Sequence, residues 1–180
     1  LSIDGNNWVS STGAANFSFT NSMGAFSNQG ITLIPSTDAN RATMIRSSIW
    51  GGNINLAVSS VPAGSYQVWL YVWEDNNPET FSISLEGTVV QSNYNSGTAG
   101  MWSKLAPFTA AINDGTINIV TTGGHANISG IEIWTSGTPG NQPPVVANAI
   151  ADQTATEGTA FSFTFASNTF SDPNAGTTLT

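Results

Sequence analysis

Short runs of β-branched and aromatic residues, separated by glycine, asparagine, serine and proline, recur along most of the sequence. No long segment repeats apolar residues at intervals of three and four, the spacing of an amphipathic helix. The pattern predicts an all-β chain folded as a jelly-roll β-sandwich of short antiparallel strands. The predicted strands are Ala15–Thr20, Gly30–Ile34, Thr43–Ser48, Ile54–Val58, Ser65–Trp73, Thr80–Leu85, Thr88–Gln91, Leu105–Ala111, Gly115–Thr121 and Ile128–Thr135. Glu86-Gly87 is predicted to form the tip of a tight hairpin.

The strand Ser65–Trp73 carries large apolar residues on both of its faces. One alternating set, which suits a sandwich core, is Tyr66, Val68, Leu70 and Val72. The opposite set is Trp69, Tyr71 and Trp73. We expect Trp69 and Tyr71 to pack under covering loops as a second layer. We expect Trp73, which ends the strand and precedes polar residues, to be partly exposed to a ligand.

The charge balance excludes several classes of partner. The chain has three Lys and Arg residues against eleven Asp and Glu residues, and its net charge is −8. Three scattered cations cannot form a patch for a nucleic-acid backbone or an anionic membrane surface, and no apolar run is long enough for membrane insertion. Cysteine is absent, so disulfides and thiolate zinc sites are excluded. A surface of Ser, Thr, Asn and Gly suits a secreted, extracellular bacterial protein.

The composition changes near Thr135, where a Gly/Pro/Ser-rich stretch begins. We therefore predict a first domain over residues 1–136, a linker over 137–144, and the start of a second β domain over 145–180. The second segment contains "AFSFTF", which would place three phenylalanines on one face. It is too short for a complete Ig-like domain, so the sequence reads as a fragment of a longer protein. We expect this tail to pack on the first domain, to form a domain swap or dimer with a second chain, or to be loosely ordered.

The sequence contains few residues that could catalyse a reaction. It has a single histidine, His125, in a Gly-rich loop without a nucleophile motif. Glu74, Asp75 and Glu79 share one loop, so a glycosidase pair is conceivable. Clustered carboxylates more often form a solvated turn or the polar rim of a sugar site. We therefore predict that the chain is not an enzyme, although the longer protein can be a polysaccharide-degrading one.

Binding of a sugar is better supported, because polar side chains stand beside aromatics at two places. These are "RSSIWGGN" and "VWEDNN". Pyranose C–H faces pack on aromatic rings, and ring hydroxyls need a few fixed donors and acceptors. We predict an oligo- or polysaccharide ligand, stacked on Trp50 and Trp73. The predicted polar contacts are Arg46, Glu74, Asp75, Asn76 and His125.

The first 136 residues resemble a malectin-like carbohydrate-binding domain. The resemblance lies in a stretch with Arg46 and Trp50, a Gly-x-Tyr strand from Gly64 that ends at Glu74, a following strand with its hairpin at Gly87, and two closing strands in "INDGTINIV" and "NISGIEIW". It implies a galactose-binding-like jelly roll that binds glycans through loops at one end, with Trp50 in the position of a binding aromatic. The family's aromatics after the Glu are replaced by Asp-Asn-Asn, and its later acidic residue is absent beside His125. These departures imply a sugar other than a glucosylated N-glycan, such as a plant or algal polysaccharide.

The tail resembles the opening of a dystroglycan-type cadherin-like domain. The resemblance implies that Glu157, Asp172 and Asn174 help to bind Ca²⁺ at a domain junction, with oxygen ligands that this ion prefers. The alternative is that they are turn residues without a metal, and no other cofactor is predicted. A second functional hypothesis follows, in which the chain is a structural or adhesion module of a repeat array stiffened by Ca²⁺.

Overall fold

The structure is a computed structural model that describes residues 1–136 and 145–171. Two compact units divide the chain, Leu1–Ser136 and Gly137–Thr180. Within the described residues no helix is both long and apolar enough to cross a bilayer.

The first unit is a β-sandwich, which confirms the predicted all-β fold class. Its strands are β1 (Ser2–Ile3), β2 (Asn6–Asn7), β3 (Phe17–Thr20), β4 (Gly24–Ala25), β5 (Ile49–Gly51), β6 (Asn55–Ser59), β7 (Gly64–Trp73), β8 (Thr80–Leu85), β9 (Thr88–Asn95), β10 (Trp102–Ile112), β11 (Thr116–Gly123) and β12 (Ala126–Thr135). One sheet has the order β10-β7-β12-β5-β4, and the other has the order β3-β6-β11-β8-β9. Every strand pair in these sheets is antiparallel.

The core lies between the two sheets, and it explains where the strands form. In β8 and β11 buried and less buried residues alternate, as expected for strands with one face on a core. Both sheets contribute to the main apolar cluster, for example through Leu70, Ile83 and Ile119. The tip of the β8–β9 hairpin has positive φ at both Glu86 (50°) and Gly87 (72°), as a type I′ turn requires. The predicted hairpin is therefore confirmed.

A second apolar cluster covers the outer face of β7. It consists of Ile3, Leu33, Met44, Ile45, Tyr71 and Trp73. The N-terminal segment and a short helix thus bury the outer face of β7 near its end, and the core between the sheets buries the inner face, which is why both alternating sets are apolar. The prediction that Tyr71 belongs to a second packed layer is confirmed. Trp69 is half-buried, with the Lys104 ammonium 5.3 Å from its ring centroid.

Two predicted strands in the covering segment are wrong. Thr43–Ser48 overlaps a helix, α1 (Ala39–Ile45), which begins where the Asp38 side chain accepts a hydrogen bond of 2.9 Å from the backbone N–H of Arg41. This hydrogen bond also lowers the pKa of Asp38. Gly30–Ile34 forms only an isolated bridge between Ile34 and Met101. The apolar residues of both segments serve packing over β7 rather than strand pairing.

The second unit contains one described strand pair, β13 (Val145–Val146) with β14 (Phe170–Ser171). The strand pattern at "AFSFTF" does not become a strand, and Phe161, Phe163 and Phe165 are exposed. Within the described residues this segment pairs with no strand, and the Phe165 ring makes an edge-on contact with Phe170 at a centroid distance of 5.4 Å. The predicted linker, residues 137–144, lies outside the described residues.

Candidate functional site

A pocket of about 190 Å³ opens at one end of the sandwich in the first unit. Its lining joins aromatic, amide and acidic side chains, namely Phe26, Trp50, Glu74, Asp75, Asn76, Glu79, His125 and Asn127. Segments far apart in the sequence meet there, so the fold rather than one local motif builds the site.

Strand register brings the pocket residues together. Asn127 on β12 lies directly opposite Trp50 on β5 and Trp73 on β7. The loop from β7 to β8 supplies the acidic residues, and the turn from β11 to β12 supplies His125. Both connections pass from one sheet to the other, and they lie at the same end of the sandwich because β12 begins beside the end of β7, where Asn127 pairs with Trp73.

Trp50 forms the aromatic wall of the pocket. Its indole is half-buried and stacks on Phe26, with ring centroids 6.2 Å apart and an angle of 16° between the planes. The imidazole of His125 approaches edge-on, with a centroid distance of 5.8 Å. Trp50 is therefore held between two rings while part of its surface lines the pocket.

Glu74 organises the loop after β7. It is 1% exposed, and its carboxylate accepts hydrogen bonds from the backbone N–H of Asn76 (3.0 Å) and the hydroxyl of Ser96 (2.5 Å). Its backbone also bonds to Met101 and Gly100, at 2.9 and 2.7 Å. A buried carboxylate with these partners fixes the loop geometry.

The more accessible polar groups lie around this anchor. Asp75 accepts a hydrogen bond of 2.9 Å from the amide of Asn127, which is itself buried. Glu79 accepts one of 3.1 Å from the backbone N–H of His125, and its second oxygen lies 3.5 Å from the His125 Nδ1. Asn76 is exposed at the mouth. These groups form a pre-arranged polar rim beside the Trp50 indole.

The structure brings together five of the residues predicted from the sequence, which are Trp50, Glu74, Asp75, Asn76 and His125. The prediction that Trp73 is partly exposed is wrong. Trp73 is 1% exposed, its indole N–H donates to Ser48 at 2.9 Å, and Phe26 packs against its ring. Arg46 does not line the pocket either, because it caps the C-terminal end of α1.

Three lining residues, Phe26, Glu79 and Asn127, were missing from the predicted binding set. Glu79 belongs to the acidic cluster that the sequence indicates as a solvated turn or the polar rim of a sugar site, and its place in that cluster is a usable signal for it. Asn127 and Phe26 carry no local signal, because their position depends on strand register and on the path of a distant segment.

The predicted calcium ligands lie in the second unit. Glu157 is exposed in a turn, whereas Asp172 and Asn174 lie outside the described residues. No group of three His, Asp or Glu side chains in the described part of the chain could hold a metal ion. The calcium site stays a prediction from the sequence.

A larger cavity of about 530 Å³ lies beside the N-terminal segment. Apolar side chains of both sheets, such as Leu56, Ile131 and Ile133, dominate its lining, together with several serines. It contains no charged side chain, and it lacks the combination of an aromatic face with carboxylate and amide groups. We therefore place the candidate site in the smaller pocket.

Comparisons with known proteins match different parts of the chain. The family model He_PIG, described as "Putative Ig domain", matches residues 143–180. This match agrees with the Ig-like prediction for the tail, whereas the cadherin-like identification stays a prediction. No curated protein matches the sequence.

Several solved structures share a partial structural likeness with the chain. A calcium-binding mutant of Bacteroides uniformis β-glucuronidase 2 is 20% identical with a TM-score of 0.49, covering 63% of this chain and 14% of that one. The ANX1 ectodomain from Arabidopsis thaliana is 12% identical with a TM-score of 0.49, covering 70% of this chain and 40% of that one. A CBM35 from Paenibacillus barcinonensis is 18% identical with a TM-score of 0.40, covering 68% of this chain and 95% of that one. The chain thus spans a small part of the glucuronidase and less than half of the ectodomain.

Proposed function

We propose that the first unit is a non-catalytic carbohydrate-binding module, and that the pocket beside Trp50 holds its sugar. One face of a pyranose ring packs against the Trp50 indole. Asp75, Asn76, Glu79 and His125 bond the ring hydroxyls, and Glu74 holds their loop in place. The same proposal has two further parts. Residues 1–136 form a malectin-like domain, and this module is attached to a longer secreted protein.

The size of the pocket supports binding of one ring. Pockets for drug-sized ligands have volumes of roughly 300–1,000 Å³, and this one has about 190 Å³. A pocket of this size accommodates a single monosaccharide unit rather than a chain segment. The module therefore binds the end or a side branch of a glycan.

The contacts of the carboxylates support a binding role without catalysis. Glu74, Asp75 and Glu79 each already accept hydrogen bonds from groups of the chain. Such bonds hold side chains in fixed orientations, which favours recognition of hydroxyl groups. The histidine beside them faces Glu79 and Trp50 rather than a nucleophile.

The observation that carries the proposal is the partly open indole of Trp50 within a rim of fixed polar groups. A glycan array on the full chain identifies a ligand, and titration calorimetry measures its affinity for the Trp50→Ala variant. We expect a loss of about 1–3 kcal/mol, the scale of a buried aromatic contact.

Trp134→Ala is the matched control, because it also removes an indole. Trp134 is 48% exposed and does not line the pocket, so we expect the Trp134→Ala variant to bind the sugar as tightly as the wild type does. Equal affinities for wild type and Trp50→Ala, with both proteins folded, would contradict the proposal. Hydrolysis of a glycoside by the wild type that is lost in Glu79→Gln would contradict its non-catalytic part.

A further inference from the structure

The carboxylates on the pocket wall are not balanced by Lys or Arg. Glu74, Asp75 and Glu79 line it, the imidazole Nδ1 of His125 lies 3.5 Å from Glu79, and no Lys or Arg lines it. The cationic side chains of the chain lie elsewhere. Arg41 pairs with Asp4 and Asp38, and Lys104 pairs with Glu132. A ligand that enters the pocket therefore meets a negative potential without a balancing arginine or lysine.

Two of the accessible polar groups of the pocket, the carboxylates of Asp75 and Glu79, can only accept hydrogen bonds when ionised. The Glu79 side chain is 32% exposed, and Asp75 is half-buried. An ionised carboxylate has no hydrogen to donate, so both residues need a ligand rich in donors. Hydroxyl groups satisfy this need in part. An ammonium group satisfies it better, because it carries three donors and a compensating charge.

The same features disfavour sugars that carry a negative charge. A uronic acid or a sulfated sugar would place an anion beside the carboxylates, and the interaction of like charges close together is unfavourable. A metal cation bound by the carboxylates could otherwise bridge them to an anionic sugar. No three acidic or histidine side chains in the described part of the chain are grouped to hold a metal ion, so we expect no such bridge.

We propose that the pocket selects a glycan end that carries a free amino sugar, with the ring on Trp50 and the ammonium group between Glu79 and Asp75. The inference rests on the proposed function and adds the chemical class of the ligand. N-acetylation, which removes the charge and two of the donors, abolishes the preference. Neutral hexoses bind more weakly, and uronic acids are excluded.

The test uses the full chain and four trisaccharides, of which one is cationic, two are neutral and one is anionic. These are the fully deacetylated glucosamine trimer, its fully N-acetylated form, cellotriose and trigalacturonic acid. Calorimetry at mildly acidic pH, where the amino groups of the glucosamine trimer are protonated, is expected to give an affinity for this trimer about tenfold higher than for cellotriose, the ratio that one charge-assisted contact supplies. We expect no measurable binding of trigalacturonic acid.

Salt tests whether the preference is electrostatic, and two matched variants separate a specific contact from general attraction. Raising the salt concentration from about 0.01 M to about 1 M shortens the screening length roughly tenfold, which should weaken glucosamine binding much more than cellotriose binding. Glu79→Gln keeps one acceptor oxygen but removes the charge, so the affinity ratio of the two trimers should fall towards one. Asp152→Asn, which changes the net charge equally at an exposed position outside the pocket, should leave the ratio unchanged.

The outcomes distinguish the inference from the function beneath it. If none of the trimers and no glycan on an array binds, the proposed function fails and the inference fails with it. If cellotriose or trigalacturonic acid binds at least as tightly as the glucosamine trimer, and Trp50→Ala abolishes that binding, only the inference fails. Preference for the amine that Glu79→Gln and Asp152→Asn reduce equally also overturns it. If Glu79→Gln does not fold, Asp75→Asn, which removes the charge of the other carboxylate on the pocket wall, is measured in its place and should lower the affinity ratio in the same way.

Discussion

Trp50 and Trp73 lie in one row of the same sheet, yet their surroundings differ. Both are directly opposite Asn127 on β12, and the ring of Phe26 lies 6.2 Å from one and 6.1 Å from the other. Trp73 is buried, and its indole N–H donates a hydrogen bond to the hydroxyl of Ser48. Trp50 is half-buried, and part of its surface lines the pocket.

The difference shows that the covering layer, rather than the strand, decides the role of an outer-face aromatic residue. Trp73 shares its cluster with Met44 and Ile45 at the end of α1, and with Ile3 and Leu33. Trp50 is next to β4, an edge strand of two residues, where Gly24 lies opposite it. With less chain over it, Trp50 keeps part of its surface open to the pocket. Trp73 should therefore contribute to stability, and Trp50 to affinity.

The largest expected effect that tests this division comes from Trp73→Ala. Removing a fully buried indole takes away its burial and leaves a cavity, so we expect a loss of about 3–5 kcal/mol in the free energy of unfolding. Urea denaturation measures it. Trp50→Ala is expected to cost much less stability, because its side chain is only half-buried. If Trp73→Ala instead weakened sugar binding without lowering stability, the two residues would not have separate roles.

Ser48→Ala tests the hydrogen bond that the indole N–H of the buried Trp73 donates to Ser48. Ser48 is 5% exposed, and the variant leaves the buried N–H of Trp73 without its acceptor. We expect a loss of about 1–3 kcal/mol in unfolding free energy, the cost of an unsatisfied buried donor. Ser92→Ala, at an exposed position on β9, is the control and should be nearly neutral. Equal stabilities of the two variants would show that this hydrogen bond contributes little.

The strands that bury one face on the core could be predicted from the sequence. Thr80–Leu85 was placed at its observed bounds, because its alternation of buried and less buried residues is a local property. The covering layer could not be predicted in the same way. Ile31, Leu33, Met44 and Ile45 are apolar because they cover β7, and sequence alone does not say whether an apolar run forms a strand or lies on one.

The candidate site divides along the same line. The sequence predicts Trp50, His125 and the three residues after Trp73, which are Glu74, Asp75 and Asn76, because aromatic or polar residues cluster locally at these places. Phe26 and Asn127 depend on pairings between distant strands. Trp73 was misplaced for the same reason. The polar residues after it suggested exposure, but Phe26 and Ser48, both distant in sequence, cover its ring and bond its N–H.

A smaller effect is expected from Gly24→Ala, which disturbs Trp50 without removing it. A Cβ at position 24 would lie 2.7 Å from Nε1 of the Trp50 indole and 3.1 Å from Cε2, so the ring must shift. We expect sugar affinity to fall by about 1 kcal/mol, the cost of a side chain forced from its preferred rotamer. Gly30→Ala, where a Cβ would meet nothing within 4 Å, is the matched control. Unchanged affinity for Gly24→Ala would mean that the position of the indole is not critical.

The smallest expected effect concerns an ion pair on the outer face of β7, beside the buried Tyr71. Glu132 accepts a hydrogen bond of 3.2 Å from the Tyr71 hydroxyl and also pairs with Lys104. Burial raises the pKa of Tyr71 above its usual 10.0, and Glu132 adds to the shift while Lys104 opposes it. Burial alone would lower the pKa of Lys104, but hydrogen bonds to Glu132 and Tyr71 outweigh it and raise the value above 10.5.

Both shifts predict a loss of stability in alkali. A group whose pKa is higher in the folded state stabilises the fold below its unfolded pKa, and this contribution disappears as the pH rises through the folded value. Thermal melts should therefore show a falling melting temperature above about pH 10, with little change between pH 7 and 9 from these groups. Glu132→Gln removes the charge that raises both pKa values, so its melting temperature should fall less steeply over the same range. Parallel pH profiles for the two proteins would show that this ion pair does not couple to folding.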